Sequence, residues 1–114
     1  MNQRILDCLI DLAKHVQPVG GTKIAAAIVY KDRIISVGTN MRKSHPLQKR
    51  FARNAEAIFL HAEIDAIRKL VSIPRGSVLY LARVYRNGSP ALVTPCPGCL
   101  SALDHFRVTK VFHT

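Results

Sequence analysis

Two short apolar runs, separated by only two polar residues, are the sequence feature that most constrains how this chain folds. The first run is Lys23–Tyr30, which is apolar after its first residue, and the second is Arg33–Gly38. Both carry β-branched residues close to the Lys31-Asp32 link, and such residues favour strands. Two strands joined by so short a link predict a β-hairpin.

Helical patterns surround this hairpin. Apolar residues recur at helical spacing over Gln3–His15, and Ala55–Leu70 is rich in Ala, Ile, Leu and Glu with the same period. A third helix is predicted for Gly98–Phe106, and two further strands for Ser77–Tyr85 and Lys110–Phe112. The resulting order, α-β-β-α-β-α-β without a repeat or a linker, predicts one α/β domain over residues 1–114.

The composition excludes several classes of protein. Hydrophobic residues make up 48% of the 114 residues and charged residues 21%, which is typical of a globular chain and not of a disordered one. No apolar run approaches the ~20 residues that cross a bilayer. Asp7 and Asp11 interrupt the N-terminal apolar pattern, which argues against a signal peptide. We therefore expect a cytoplasmic protein that has no membrane partner.

The cysteines point to a metal site. Their number is three, so a disulfide framework is a poor expectation, and Cys8, among the apolar residues of the first helix, is predicted to be buried. The other two form Cys96-Pro97-Gly98-Cys99, and His61-Ala62-Glu63 lies on the second predicted helix. One imidazole and two thiolates supply three ligands for zinc and leave the fourth position for water, as in catalytic sites.

The spacing within each segment has a physical reason. Cys96 is expected at the N-cap of the third helix with Pro97 at the first helical position, where a missing N–H costs nothing. Cys96 and Cys99 then share one face of the helix start, where the helix dipole favours thiolates. Glu63 points to a different side from His61 on an ideal helix. It is therefore predicted to lie near the metal without binding it, as a proton shuttle requires.

These residues resemble a known family. The segments His61-Ala62-Glu63 and Pro95–Cys99 are similar to the H-x-E…P-C-x-x-C signature of the zinc-dependent cytidine/deoxycytidylate deaminase superfamily. The predicted hairpin resembles that of the family and ends in its Gly-x-Asn, here Gly38-Thr39-Asn40. Deoxycytidylate deaminases are the most similar in motif, although they usually carry Asn where this chain has Asp65.

The resemblance implies a fold and a set of roles. The fold is a three-layer α-β-α arrangement around a mixed sheet of about four strands, shortened at the C-terminus. Zinc is bound by His61, Cys96 and Cys99, and it activates a water that attacks the ring carbon bearing the exocyclic amine. Glu63 moves the proton to the leaving ammonia. Asn40 contacts the base or sugar, and Ala62 belongs to the same substrate-binding set.

The role of Asp65 stays open at this point. It stands four residues after His61 and could orient the imidazole as a neighbouring carboxylate. A solvated aspartate on the helix surface fits the sequence equally well.

The charge bears on the substrate. Lys and Arg number 17 against 7 Asp and Glu, a formal net charge of +10, which suggests anionic partners. Basic residues gather in the connector Asn40–Asn54, between the hairpin and the zinc helix. Within it, the residues expected to hold a phosphate are Arg42, Lys43, Ser44 and His45. The chain has no Trp, so stacking on several bases of a nucleic acid is poorly supported.

Three functions remain open on the sequence. The favoured one is a deaminase of a free cytosine nucleotide or nucleoside. The alternative is a tRNA or single-stranded DNA or RNA deaminase, acting on cytidine or adenosine, that holds nucleic acid through the basic connector. The third is a non-catalytic, zinc-stabilised basic binding module. We also expect homo-oligomers, because a small sheet buries limited apolar area and the last strand, near Val111 and Phe112, is expected to be uncovered.

Overall fold

The computed structural model describes residues 1–51 and 59–114, in which helices lie on both sides of a central sheet. The elements, numbered in chain order, are α1 (Gln3–Lys14), β1 (Lys23–Tyr30), β2 (Arg33–Thr39), β3 (Met41–Ser44), α2 (Pro46–Phe51), β4 (Phe59–Leu60), α3 (Ala62–Arg68), β5 (Val78–Val84), β6 (Pro90–Ala91), α4 (Pro97–His105) and β7 (Val111–His113). None of the described helices is long and apolar enough to cross a membrane.

The main sheet is mixed, as the sequence predicts. Its order is β2-β1-β5, and both β6 and β7 pair with the far side of β5. The β1–β2, β1–β5 and β5–β6 pairs are antiparallel, whereas β5 and β7 are parallel. The four expected strands are therefore present, and the two-residue strand β6 adds a fifth. A separate two-stranded sheet joins β3 to β4.

The two faces of the sheet bury different clusters, which confirms the three-layer arrangement. On one face, α1 packs against Ala25, Ala27 and Tyr80. On the other face, α3 and α4 cover Ile28 and Leu81. Alternate residues of β1 and β5 point to opposite faces, so strands this apolar require cover on both sides.

The described part of the basic connector contains β3 and α2. One expectation for the residues that follow needs correction. The helix expected over Ala55–Leu70 begins only at Ala62, because Phe59 and Leu60 pair with β3 as β4. Strand pairing overrides the helical propensity of these residues. The predicted helical residues 55–58 lie outside the described part of the chain.

Cys8 is also placed differently from the expectation. The buried face of α1 consists of Ile5, Leu6, Leu9 and Ala13. Cys8 lies on the other side of the helix, and its thiol is exposed.

A close contact at Gly38 joins the sheet to α3. A Cβ atom at this position would lie 2.3 Å from the Ala62 oxygen and 2.4 Å from the Ala66 nitrogen, so only glycine fits. Nearby, the buried Ser36 hydroxyl donates to the Ala66 oxygen at 2.6 Å. The start of α3 therefore rests directly on the end of β2.

Candidate metal centre

The start of α4 has the local structure that its sequence predicts. Cys96 is the N-cap, with extended backbone, and Pro97 occupies the first turn. The Cys96 Sγ accepts a hydrogen bond from the Cys99 backbone N–H at 3.4 Å. The N-cap bond therefore holds the first cysteine in place and turns its sulfur towards the second.

The start of α3 is built differently. His61 is the N-cap and lies just outside the helix, with φ −80° and ψ 155°, and its side chain makes no capping hydrogen bond. Its backbone N–H donates instead to Oε1 of Gln48 at 3.0 Å, and Gln48 is only 2% exposed. A buried amide of α2 thus fixes the main chain of His61 and leaves its imidazole free to face α4.

Three donor atoms meet between these two helix starts. The His61 Nδ1 lies 3.2 Å from the Cys99 Sγ and 3.5 Å from the Cys96 Sγ. The ligand atoms of all three residues lie within 4.8 Å of one another. A tetrahedral zinc ion, with bonds of about 2.0 Å to nitrogen and 2.3 Å to sulfur, sets these donors about 3.5 Å apart. The donor set fits zinc in both chemistry and spacing.

The two cysteines of the centre have pKa values shifted in opposite directions. Hydrogen bonds from Cys99 and His61 lower the pKa of Cys96 to about 4. The same hydrogen bond with Cys96, together with burial, raises the pKa of Cys99. Hydrogen bonding to Cys96 also raises the pKa of His61, against the opposing effect of burial. The pKa of Cys96 therefore favours the thiolate at neutral pH, and the thiolate is the form of cysteine that binds zinc.

Glu63 lies beside this donor set and is 5% exposed. Burial raises the pKa of its carboxyl group, although the charge of His61 and a hydrogen bond with Cys99 act in the opposite direction. His61 and Glu63 face the same cavity, in contrast to the ideal helical projection, because His61 precedes the helix. The carboxyl group is buried, next to the donor atoms.

A cavity of about 360 Å³ opens above the centre. His61, Glu63 and Cys96 line it together with Asn40 and Ala62, and the rest of its wall is largely apolar. The structure therefore gathers five of the residues singled out from the sequence around one space. Cys99 is fully buried beneath them.

Asn40 has a defined place in the cavity wall. Its Oδ1 accepts from the Ile24 backbone N–H at 3.0 Å, and its Nδ2 donates to the Thr22 oxygen at 2.8 Å. Thr22 and Ile24 both line the cavity. Asn40 thus lines the cavity, and its side chain is hydrogen-bonded to the backbone of the segment that forms part of the cavity wall.

The connector residues expected to hold a phosphate are not among those that line this cavity. Arg42, Lys43 and Ser44 are exposed on β3. The Nδ1 of His45 accepts from the Leu47 backbone N–H at 3.0 Å, and His45 lines a different cavity next to Arg50. Their contact with a phosphate stays a prediction.

Two residues that support the site were missed or left open by the sequence analysis. Gln48 gave no signal, because its neighbours are basic and suggested a solvated segment. Asp65 is fully buried: its Oδ2 accepts from the Thr39 backbone N–H at 3.0 Å, and it pairs with Arg68 at 2.6 Å and Lys69 at 3.2 Å. The carboxylate ties α3 to the residue before Asn40. Its i,i+3 and i,i+4 spacing to two cations was the available signal.

Comparison with known proteins agrees with this geometry. Residues 1–114 match the family of the cytidine and deoxycytidylate deaminase zinc-binding region, and the chain belongs to this family. Its members are zinc-binding deaminases, which are hydrolases. A comparison with curated protein sequences gives no match.

Solved structures with a similar fold align with almost the whole chain. The dCMP deaminase from the cyanophage S-TIM5, in apo form, is similar at 25% identity and a TM-score of 0.64, over 99% of this chain and 84% of that one. The cytidine deaminase from Mycobacterium tuberculosis has 19% identity and a TM-score of 0.59, over 100% of this chain and 85% of that one. RibD from Acinetobacter baumannii has 24% identity and a TM-score of 0.60, over 97% of this chain and 27% of its own length.

Proposed function

We propose that residues 1–114 form one hydrolytic deaminase domain that acts on a cytosine nucleotide or nucleoside. The observation that carries the proposal is the meeting of one imidazole, two cysteine sulfurs and a buried carboxyl group at one small cavity. In this proposal, His61, Cys96 and Cys99 hold zinc, and Glu63 is the catalytic residue. Zinc, when bound, supplies a Lewis acid that lowers the pKa of a water to about 7.

Glu63 carries the proton in this reaction. Its carboxylate accepts a proton from the attacking water and donates it to the amine that leaves as ammonia. A general acid–base residue works best when its pKa lies near the operating pH, and burial raises the pKa of Glu63 from its ordinary value in that direction. The same burial keeps bulk water away from the carboxyl group, so the proton stays with the reactants.

The cavity supports a small substrate. Its volume of about 360 Å³ suits a single base with part of its sugar. Asn40 and the backbone at Ala62 are proposed to contact the base or sugar, since both line the cavity. The similarity to a deaminase of dCMP favours cytosine and deoxyribose. The strand β3 is basic and exposed, as a surface that binds nucleic acid would be, so the test also includes an oligonucleotide.

The test measures ammonia release by the zinc-loaded protein from deoxycytidine monophosphate, deoxycytidine, cytidine, adenosine and a single-stranded oligonucleotide. We expect turnover of the free cytosine compounds. Turnover of the oligonucleotide alone would favour the nucleic-acid deaminase. Absence of ammonia from every compound, with one zinc bound per chain, would leave the non-catalytic module.

We also propose that the chain forms homo-oligomers. Leu92 is 72% exposed and Leu100, on α4, is 51% exposed, and a contact between subunits would remove such apolar surface from water. The expectation that β7 is uncovered is wrong, because Val111 and Phe112 are half-buried. The rings of Phe112 and Tyr80 pack together, with their centroids 5.2 Å apart. Light scattering tests the proposal, and a mass of 12.7 kDa at micromolar concentration would reject it.

A further inference from the structure

A basic cavity lies at the end of the main sheet that is opposite to the candidate metal centre. Its volume is about 450 Å³, and it lies between the turn that precedes β5 and the segment that joins α4 to β7. The parallel pairing of β5 with β7, which sets Leu79 beside Val111, brings these two segments together. Arg75 belongs to the first segment, and Arg107 and Lys110 belong to the second.

The basic cavity is separate from the cavity of the metal centre. Val78, which lines the basic cavity, pairs with Val29 of β1. Ile24, five residues earlier on β1, lines the cavity of the metal centre. Five residues of strand span about 17 Å, at about 3.3 Å per residue. A small anion in the basic cavity would therefore lie out of contact with a base bound at the metal centre.

The lining of the basic cavity carries three positive charges. Arg75, Arg107 and Lys110 are all exposed, and none of them forms an ion pair within the described residues. The Lys110 ammonium lies 5.8 Å from the centroid of the Phe112 ring, a contact that leaves N–H donors for a ligand. No carboxylate from the described part of the chain lines the cavity. Like charges around one concave space repel each other, and a bound anion would relieve that repulsion.

Arg107 has a backbone conformation that arginine rarely adopts. Its φ is +62°, in the left-handed region, where the Cβ atom crowds the following carbonyl oxygen. The helix α4 ends here in a Schellman motif, in which the Arg107 N–H donates to the Asp104 oxygen at 3.0 Å and the Val108 N–H to the Leu103 oxygen at 2.8 Å. Glycine is the usual residue at the left-handed position of this motif. The chain therefore carries a strained arginine, facing the basic cavity, where glycine would suit the fold better.

We infer that the basic cavity is a binding site for a small phosphate-bearing anion, distinct from the substrate cavity. Each of the two guanidinium groups offers a planar pair of N–H donors that match two phosphate oxygens, and the ammonium of Lys110 adds a further donor. The exposed Thr109, which also lines the cavity, offers a hydroxyl group. Proteins that bind single-stranded nucleic acid stack its bases on aromatic side chains, and no described aromatic residue lines this cavity. A compact anion therefore fits better than a nucleic-acid strand.

The test measures the binding of pyrophosphate to the zinc-loaded protein by calorimetry at low ionic strength, in the wild type and in Arg107→Gly. We expect one bound pyrophosphate per chain, and about ten- to a hundredfold weaker binding in the variant, which loses a charge-assisted contact. Because glycine suits the left-handed conformation, the Tm of Arg107→Gly without pyrophosphate should equal or exceed that of the wild type. Arg107→Lys, which keeps the charge at the end of α4 but lacks the paired donors, should lose part of the affinity.

Arg86→Gln is the matched control. It removes one exposed positive charge just after the other end of β5 and should leave the affinity for pyrophosphate unchanged. Zinc analysis after each titration verifies that pyrophosphate has not removed the metal. Equal affinities in the wild type and in Arg107→Gly would overturn the inference. An equal loss in Arg86→Gln would overturn it too, because the binding would then reflect net charge alone.

Competition experiments identify the kind of phosphate that the site takes. Displacement of pyrophosphate by inorganic phosphate would indicate a free ion and displacement by ribose 5-phosphate a phosphate ester, and both results support the inference. Binding of a single-stranded oligonucleotide without binding of pyrophosphate, lost in Arg107→Gly, would overturn the assignment to a small anion. If Arg107→Gly does not fold, the exposed Lys110→Gln takes its place with the same expected loss and the same control.

Discussion

The two helix starts that supply the candidate zinc ligands are held in different ways. The start of α4 is determined locally, because Cys96 caps the helix with its own sulfur and Pro97 suits the first turn. The start of α3 is held from outside: Gln48 binds the His61 backbone, and Gly38 lets the helix rest on β2. The cysteines therefore depend on four consecutive residues, whereas His61 and Glu63 depend on contacts from two distant segments.

The largest expected effect comes from Glu63, the proposed proton carrier at the α3 start. Glu63→Gln keeps the shape of the side chain and removes its ability to exchange a proton, so turnover should fall at least ~10²–10⁴-fold. Metal analysis should still find one zinc per chain, because Glu63 is outside the proposed ligand set. Loss of the zinc in this variant would show that the α3 start supplies two ligands.

The next effect is the pH dependence of zinc affinity, which distinguishes the two cysteines of α4. Zinc binds deprotonated ligands, so each proton that must leave weakens binding as the pH falls. The pKa of Cys96 is about 4, so Cys96 releases no proton on binding zinc above about pH 5. Cys99, whose pKa is raised, does release a proton on binding zinc. His61 releases a further proton at pH values below its own raised pKa.

The affinity should therefore rise about a hundredfold per pH unit in the acid range and about tenfold per unit above the pKa of His61. Competition with a chelator of known protonation, measured from about pH 5.5 to about pH 8.5, gives these slopes. A thousandfold rise of zinc affinity per pH unit would correspond to the release of three protons, and it would mean that Cys96 is protonated before zinc binds.

Gly38→Ala tests how strongly the α3 start depends on the sheet. Its Cβ would overlap the backbone of α3, and the neighbouring atoms cannot rotate away, so we expect a loss of about 3 kcal/mol in unfolding free energy. Ser36→Ala, which removes one buried hydrogen bond at the same contact, should cost about 1 kcal/mol. Denaturant unfolding of both variants measures the difference. Equal losses would indicate that the helix can move away from β2.

Gln48→Ala has the smallest expected effect and compares the two helix starts directly. It leaves the His61 N–H without its described partner, and we expect about tenfold weaker zinc binding. The matched variant on α4 is Ser101→Ala, which removes an exposed bond to the Pro97 oxygen. It should leave the affinity unchanged. If both variants weaken binding equally, the two starts are equally dependent on their surroundings.

The same contrast explains how much the sequence could predict. The order of the main helices and strands and the local structure at Cys96 follow from periodicity and from the residues at the helix start. The pairing of Phe59 and Leu60 with β3 does not, because it joins segments that are only weakly strand-like. The hydrogen bond from His61 to Gln48 spans thirteen residues, and no local pattern marks a buried glutamine among basic neighbours.

The cysteine pair at the start of α4 has a consequence for handling the protein. A thiolate of low pKa that lies three residues from a thiol is the arrangement from which disulfides form. Chelation of the zinc would free the half-buried Cys96 thiolate and the buried Cys99 thiol, and oxidation by air would join the two sulfurs in a disulfide that occupies the atoms that the metal needs. Metal-free protein prepared without a reductant should therefore lose its capacity for zinc with time, and a reducing agent should restore it.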